Sequence, residues 1–188
     1  MVYKRGKKRY NTRRFQRDAK EAVMTDLQYK FIDDGTLCVS SYTGDEALVE
    51  VPEAVDGIPV TVISDGVFRG HPELTELRLP DCVTDLGEFV FDGCENLRSL
   101  KLPAKLERLW GYTFVRSGLE ELELPAGVRS IPPFCFKDCK NLVRVVCGKG
   151  MRTINAWAFA GCDRLSELGC GPQVKLSPLA FESKELNT

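Results

Sequence analysis

Eight cysteines, a single histidine, two adjacent aspartates and a run of cations are the residues of this chain with chemistry to offer. A zinc site draws on cysteines or histidines delivered in close pairs such as C-x-x-C. The two nearest cysteines, Cys135 and Cys139, are four positions apart, and no C-x-x-C pair occurs. His71 has no nucleophile or orienting carboxylate in a recognisable pattern around it, and a catalytic base needs both. The motifs G-x-G-x-x-G, P-loop, H-E-x-x-H and G-x-S-x-G are missing. Asp33 and Asp34 precede Gly35, which marks a hairpin turn and not a catalytic carboxylate pair. The reading is a chain with no catalytic residues, no cofactor and no metal.

The cations gather at one end. Residues 1–20 hold Lys4, Arg5, Lys7, Lys8, Arg9, Arg13, Arg14, Arg17 and Lys20 against Asp18 alone, a net of +8 in a chain whose total is -1. The remainder therefore carries -9, an acidic body behind a basic arm. Tyr10 and Phe15 interleave with the cations, a mixture suited to phosphate contact and base stacking. The arm from Lys4 to Arg17 is thus a candidate for binding RNA or DNA. An acidic protein partner, or contact with the chain's own acidic body, suits the same charge. Phe15, Ala19, Ala22 and Val23 share one helical face, so a short helix is expected over about 12–24. The basic start has no apolar stretch behind it, so it is not read as a secretory signal, and a cytoplasmic location is expected. No apolar run reaches the ~18 residues of a membrane helix, so no span is expected.

The elements that position all of this follow from a repeat. Aligned on itself, the chain gives copies at 74–96, 97–118, 119–141 and 142–164, then a decayed copy from Leu165 to Lys184. An earlier copy, from about Glu46 to Glu73, carries an insertion near Asp56–Val60. A period of about 23 residues holds one strand and one tight return, within the leucine-rich-repeat range. Each copy opens L-x-x-L-x-L-P. Leucines two apart share one face of a strand, and the proline ends the ladder. Further apolar columns follow at the tenth and thirteenth positions of the repeat. Aromatics fill the sixteenth (Phe89, Tyr112, Phe134, Trp157) and the eighteenth (Phe68, Phe91, Phe114, Phe136, Phe159). All are expected to point inward, because only stacked neighbours can bury so many apolar side chains.

The expected fold is an α/β-type repeat solenoid, a strand-rich parallel stack with irregular or short helical returns. A hairpin about Asp34-Gly35 and the short helix are expected to cap its first edge. The boundaries are 1–24 for the arm, 25–45 for the capping hairpin, 46–184 for about six turns, and 185–188 for a polar tail. Cys94, Cys139 and Cys162 share the twenty-first position with His71, and Cys147 and Cys170 share the sixth. Both sets are read as small buried apolar residues. Turns about 4.8 Å apart put Cys139 with Cys162, and Cys147 with Cys170, within disulfide reach under oxidation.

The pattern V-x-x-I-x-x-x-x-F-x-x-C-x-x-L-x-x-L-x-L-P closely resembles the BspA-like leucine-rich-repeat family, and the lead-in at 31–63 is similar to that family's entry segment. The resemblance implies the solenoid fold and a role in protein binding, often as a surface or secreted adhesin. The outer sheet face is the expected binding surface. Its third-position column includes Glu76, Ser99, Glu121, Arg144 and Glu167, and its fifth includes Glu50, Arg78, Lys101, Glu123 and Val146. Alternating signs predict ion pairs of Glu50 with Arg78, Lys101 with Glu123, and Arg144 with Glu121 or Glu167. A scaffold for a protein partner is the leading expectation. A nucleic-acid-associated subunit and an adhesin module are the alternatives, and the oligomeric state is open.

Overall fold

The computed structural model describes residues 26–182; the basic arm, the helix expected at about 12–24 and the polar tail lie outside them. Strands β1 (Leu27–Phe31) and β2 (Leu37–Tyr42) form an antiparallel hairpin. Its turn is held by Asp34, whose Oδ1 accepts from the Thr36 hydroxyl at 2.6 Å and amide at 2.9 Å. Those bonds keep the Asp34 carboxyl below its ordinary pKa, the hydroxyl contributing most. The stack follows, with β3 (Leu48–Glu50), β4 (Ala54–Val55), β5 (Ile58–Ile63), β6 (Glu76–Arg78), β7 (Asp85–Leu86) and β8 (Arg108–Leu109). It continues through β9 (Glu121–Glu123), β10 (Ser130–Ile131), β11 (Arg144–Val146), β12 (Thr153–Ile154), β13 (Glu167–Gly169) and β14 (Lys175–Leu176).

Each turn has three sides. The first carries the L-x-L segments, paired in parallel as β3 with β6 and as β9 with β11 and β13. The second carries the pairs β5–β7–β8 and β10–β12–β14, and β2 joins its start by pairing in parallel with β5. The third is the return. There the amide of each eighteenth-position Phe donates to the carbonyl one turn further along, as from Phe91 to Thr113 at 2.8 Å and Phe136 to Ala158 at 2.8 Å.

No helix occurs among the described residues. Two left-handed residues bend each return. At the sixteenth position these are Gly66, Phe89, Tyr112, Phe134 and Trp157, with φ between 56° and 65°. At the twentieth they are Gly70, Gly93, Arg116, Asp138 and Gly161. A non-glycine residue there costs about 1–2 kcal/mol, and the backbone bonds of the return offset that cost turn by turn.

The core is one continuous column inside the three sides. Phe68, Phe91, Phe114, Phe136 and Phe159 are fully or almost fully buried. Their rings stack in file at 6.0, 5.2, 5.0 and 5.3 Å. The sixteenth-position aromatics do not join them, contrary to the inward orientation expected. Phe89, Tyr112, Phe134 and Trp157 are only half-buried and stack as a second, outer file at 4.7, 4.9 and 5.2 Å. A left-handed backbone reverses the direction in which a side chain leaves the chain. Arg69 lies over the end of this file, its guanidinium 5.2 Å from the Phe89 ring centre.

Among the four copies from 74 to 164, one departs from the period. The copy at 97–118 is a residue shorter than its neighbours, lacking the position that Asn96 and Asn141 fill in theirs. Gly118 closes the short turn so tightly that a Cβ there would strike the Glu95 carbonyl oxygen. Residues 99–101 form no strand, so the first side divides into a two-stranded and a three-stranded patch.

Candidate functional site

The outer surface of the first side brings the two charged columns into the alternation that strand geometry imposes. Leu48 pairs with Glu76 and Glu50 with Arg78; Glu121, Arg144 and Glu167 are in register, as are Glu123, Val146 and Gly169. Each of two arginines is shared by two glutamates. Arg78 reaches Glu76 at 2.9 Å and Glu50 at 3.6 Å; Arg144 reaches Glu167 at 3.0 Å and Glu121 at 3.6 Å. Both clusters are solvated, so each pair contributes ~1 kcal/mol at most. The expected Lys101–Glu123 pair is not formed, because the unpaired backbone at 99–101 lies outside the ladder that would align it. Ser99 and Lys101 are exposed between the two patches.

The residues with chemical potential are occupied by the fold. His71 packs at a tilt against Tyr42, ring centres 4.8 Å apart, and its Nδ1 lies 2.6 Å from Glu73 Oε1. Cys94, Cys139 and Cys162 donate Sγ–H to the carbonyls of Phe68, Phe114 and Phe136 at 3.0, 2.9 and 2.9 Å. The F-x-x-C spacing thus supplies a donor to a phenylalanine carbonyl of the preceding turn. Burial pushes the Cys94 thiol up to about 12 and raises Cys135 well above the ordinary value. Cys162 is also raised, first by its hydrogen bond with Cys139 and then by burial. None of these three is a thiolate near neutrality. Among the described residues no group of three or more metal-ligating side chains comes together.

The sixth-position cysteines depart from the buried-thiol reading. Cys147 and Cys170 are half-buried and joined by a disulfide, with Cα atoms 4.9 Å apart. They follow β11 and β13, whose pairing aligns the two backbones.

Residues 61–187 match the model of the BspA type leucine rich repeat region, in six copies. The chain belongs to the BspA-type leucine-rich-repeat family. Among solved structures, this BspA-type chain is similar to a leucine-rich repeat protein of T. pallidum. The identity is 27% and the TM-score 0.67, covering 84% of this chain and 86% of that one. A leucine-rich repeat protein from Bacteroides ovatus shares the fold at 23% identity and a TM-score of 0.64, covering 87% of this chain and 51% of that one. A leucine rich cell surface protein from Faecalibacterium prausnitzii does so at 21% identity and 0.56, covering 79% and 55%. The chain thus spans about half the length of these last two proteins. Among curated proteins none matches it.

For this BspA-type chain, Lys4, Arg5, Lys7, Lys8, Arg9, Arg13, Arg14 and Arg17 lie outside the described residues. No helix among the described residues is long and apolar enough to cross a membrane. Sequence reasoning assigned no role to the outer surface of the second side. The available signal was Pro132, which falls where the other turns place a residue with an amide donor.

Proposed function

We propose that this BspA-type chain is a non-catalytic scaffold that holds a partner protein against the outer surface of its first side. The observation that carries the reading is the sharing of each arginine, Arg78 and Arg144, between two glutamates. Each cluster is left with one negative charge in excess, and Glu123 is exposed beside the second. A partner with basic groups complements that surface, and Val143, Val146 and Gly169 offer it a less polar margin. The non-catalytic part of the reading rests on the burial of Cys94 and Cys135 in the core and on the engagement of His71 with Tyr42 and Glu73.

The test is a charge reversal, Glu121→Lys with Glu123→Lys and Glu167→Lys, in the full-length protein. Partners cross-linked to wild type in a cell extract are expected to map to this face and to bind the variant about tenfold more weakly. The variant's melting temperature controls for folding. Equal capture by both proteins would sink the assignment.

A second reading rests on the +8 charge of residues 1–20. Under it, full-length protein binds a short RNA or a DNA duplex, and a variant lacking residues 1–24 does not. Several phosphate contacts should make that binding orders of magnitude weaker at about 200 mM salt than at about 50 mM. Binding that survives deletion of the arm removes this reading.

A further inference from the structure

The second side is interrupted between β8 and β10. In the other turns an amide just past the strand donates to the carbonyl one turn earlier. Gly87 donates to Ile63 at 2.9 Å, Trp110 to Leu86 at 3.1 Å, Asn155 to Ile131 at 3.1 Å and Ser177 to Ile154 at 2.9 Å. The missing member would run from residue 132 to Leu109, and residue 132 is a proline with no N–H to give. The bond three places earlier fails as well. Glu107 donates to Thr84 at 2.9 Å, Arg152 to Arg129 at 2.9 Å and Lys175 to Arg152 at 2.8 Å, yet the Arg129 amide does not reach Glu107. The carbonyls of Glu107 and Leu109 and the amide of Arg129 are left without ladder partners among the described residues.

A cleft of about 520 Å³ opens at this break, lined by Glu107, Arg108, Leu109, Gly127, Arg129 and Ser130. That volume lies within the roughly 300–1,000 Å³ of ligand sites. Arg108 is held by both oxygens of the buried Asp85 carboxylate. Arg129, Arg152 and Lys175 stand exposed on successive turns, and none makes an ion pair among the described residues. Trp110 directly follows Leu109 and is 49% exposed.

We propose that this cleft binds an acidic peptide segment, with a carboxylate on Arg129 and backbone groups on the interrupted ladder. The chemistry separates a peptide from other anions. Two carbonyls without ladder partners are free to accept from N–H donors, and one amide is free to donate to an acceptor. A peptide carries both beside its carboxylates, whereas a phosphodiester backbone offers acceptors alone. The site lies on a different side of the stack from the surface proposed above and stands independently of it.

The test uses the full-length protein and the fluorescein-labelled probe acetyl-Glu-Val-Glu-Val-Glu-amide, read by fluorescence anisotropy. Arg129→Ala is expected to weaken binding about tenfold, the loss of one charge-assisted contact. Pro132→Asn places at the break the residue found at 155, restores the donor and closes the ladder. It is expected to weaken the probe at least as much while leaving the melting temperature unchanged or higher. Arg98→Ala, elsewhere on the surface, should bind like wild type. Arg129→Ala alters an exposed side chain, so the test survives even if Pro132→Asn misfolds. Undiminished binding by Arg129→Ala, or no binding at about 1 mM protein, would overturn the proposal. An unlabelled RNA oligomer that displaces the probe more tightly than the unlabelled peptide does would overturn it in favour of a polyanion site.

Discussion

Replacement of Phe114 by alanine is expected to lower the stability of the protein by about 3–5 kcal/mol, the largest effect of any single substitution considered. Phe114 is fully buried and stacks between Phe91 and Phe136 at 5.2 and 5.0 Å. Its loss removes two ring contacts, each contributing about 0.5–1.5 kcal/mol beyond simple burial. It also leaves a void bounded by turns that cannot collapse, because their backbones are bonded to one another. In a solenoid each turn is supported only by its neighbours, so a defect in the middle uncouples the two halves. Phe181 supplies the comparison. It occupies the same column in the last described turn, stacks on Phe159 at 5.6 Å and is 49% exposed. Phe181→Ala should therefore cost about 1 kcal/mol, since half of its area is already in water. Urea denaturation of both variants decides the matter: equal losses would refute a core organised as a file of stacked rings.

Opening the Cys147–Cys170 disulfide is expected to cost about 3 kcal/mol, the loop-closure value for a span near its 23 residues. The effect should be local. The turn that follows Cys170 exposes Leu176, Leu179 and Phe181, so it gains less from apolar burial than the inner turns and relies more on the cross-link. In Cys147→Ser with Cys170→Ser, amide hydrogen exchange is expected to rise across residues 165–182 while residues 83–115 keep their protection. Thiol titration of unfolded wild type should count six thiols before reduction and eight after it. An unchanged exchange pattern, or eight thiols without reduction, would contradict a staple at this end of the stack.

The period near 23 residues was enough to place Leu77, Leu122 and Val145 inside and Glu76, Glu121 and Arg144 outside. A strand alternates by geometry alone, and stacking repeats that alternation in every turn. The same register foretold the Glu50–Arg78 pair and both partners of Arg144. It failed for Lys101 and Glu123, because residues 99–101 form no strand and stand outside the ladder that would align them. The cysteine columns were legible as columns, and the reach between stacked turns offered both Cys147 with Cys170, which are bonded, and Cys139 with Cys162, which stay free thiols. The thiols of Cys94, Cys139 and Cys162 serve phenylalanine carbonyls, whereas Cys147 and Cys170 bond to each other.

By itself the sequence determined the stack, its turn length, the inner phenylalanine file and the residues that share each charged column. All of these follow from which positions recur. The tertiary structure alone decided that Phe89, Tyr112, Phe134 and Trp157 face outward, because a left-handed φ, which periodicity does not encode, turns their side chains away from the core. It alone decided, too, that the second side parts between Leu109 and Ile131 and opens a cleft beside Arg129. A proline is visible in any sequence. The hydrogen bond it withholds exists only once the neighbouring turn lies against it.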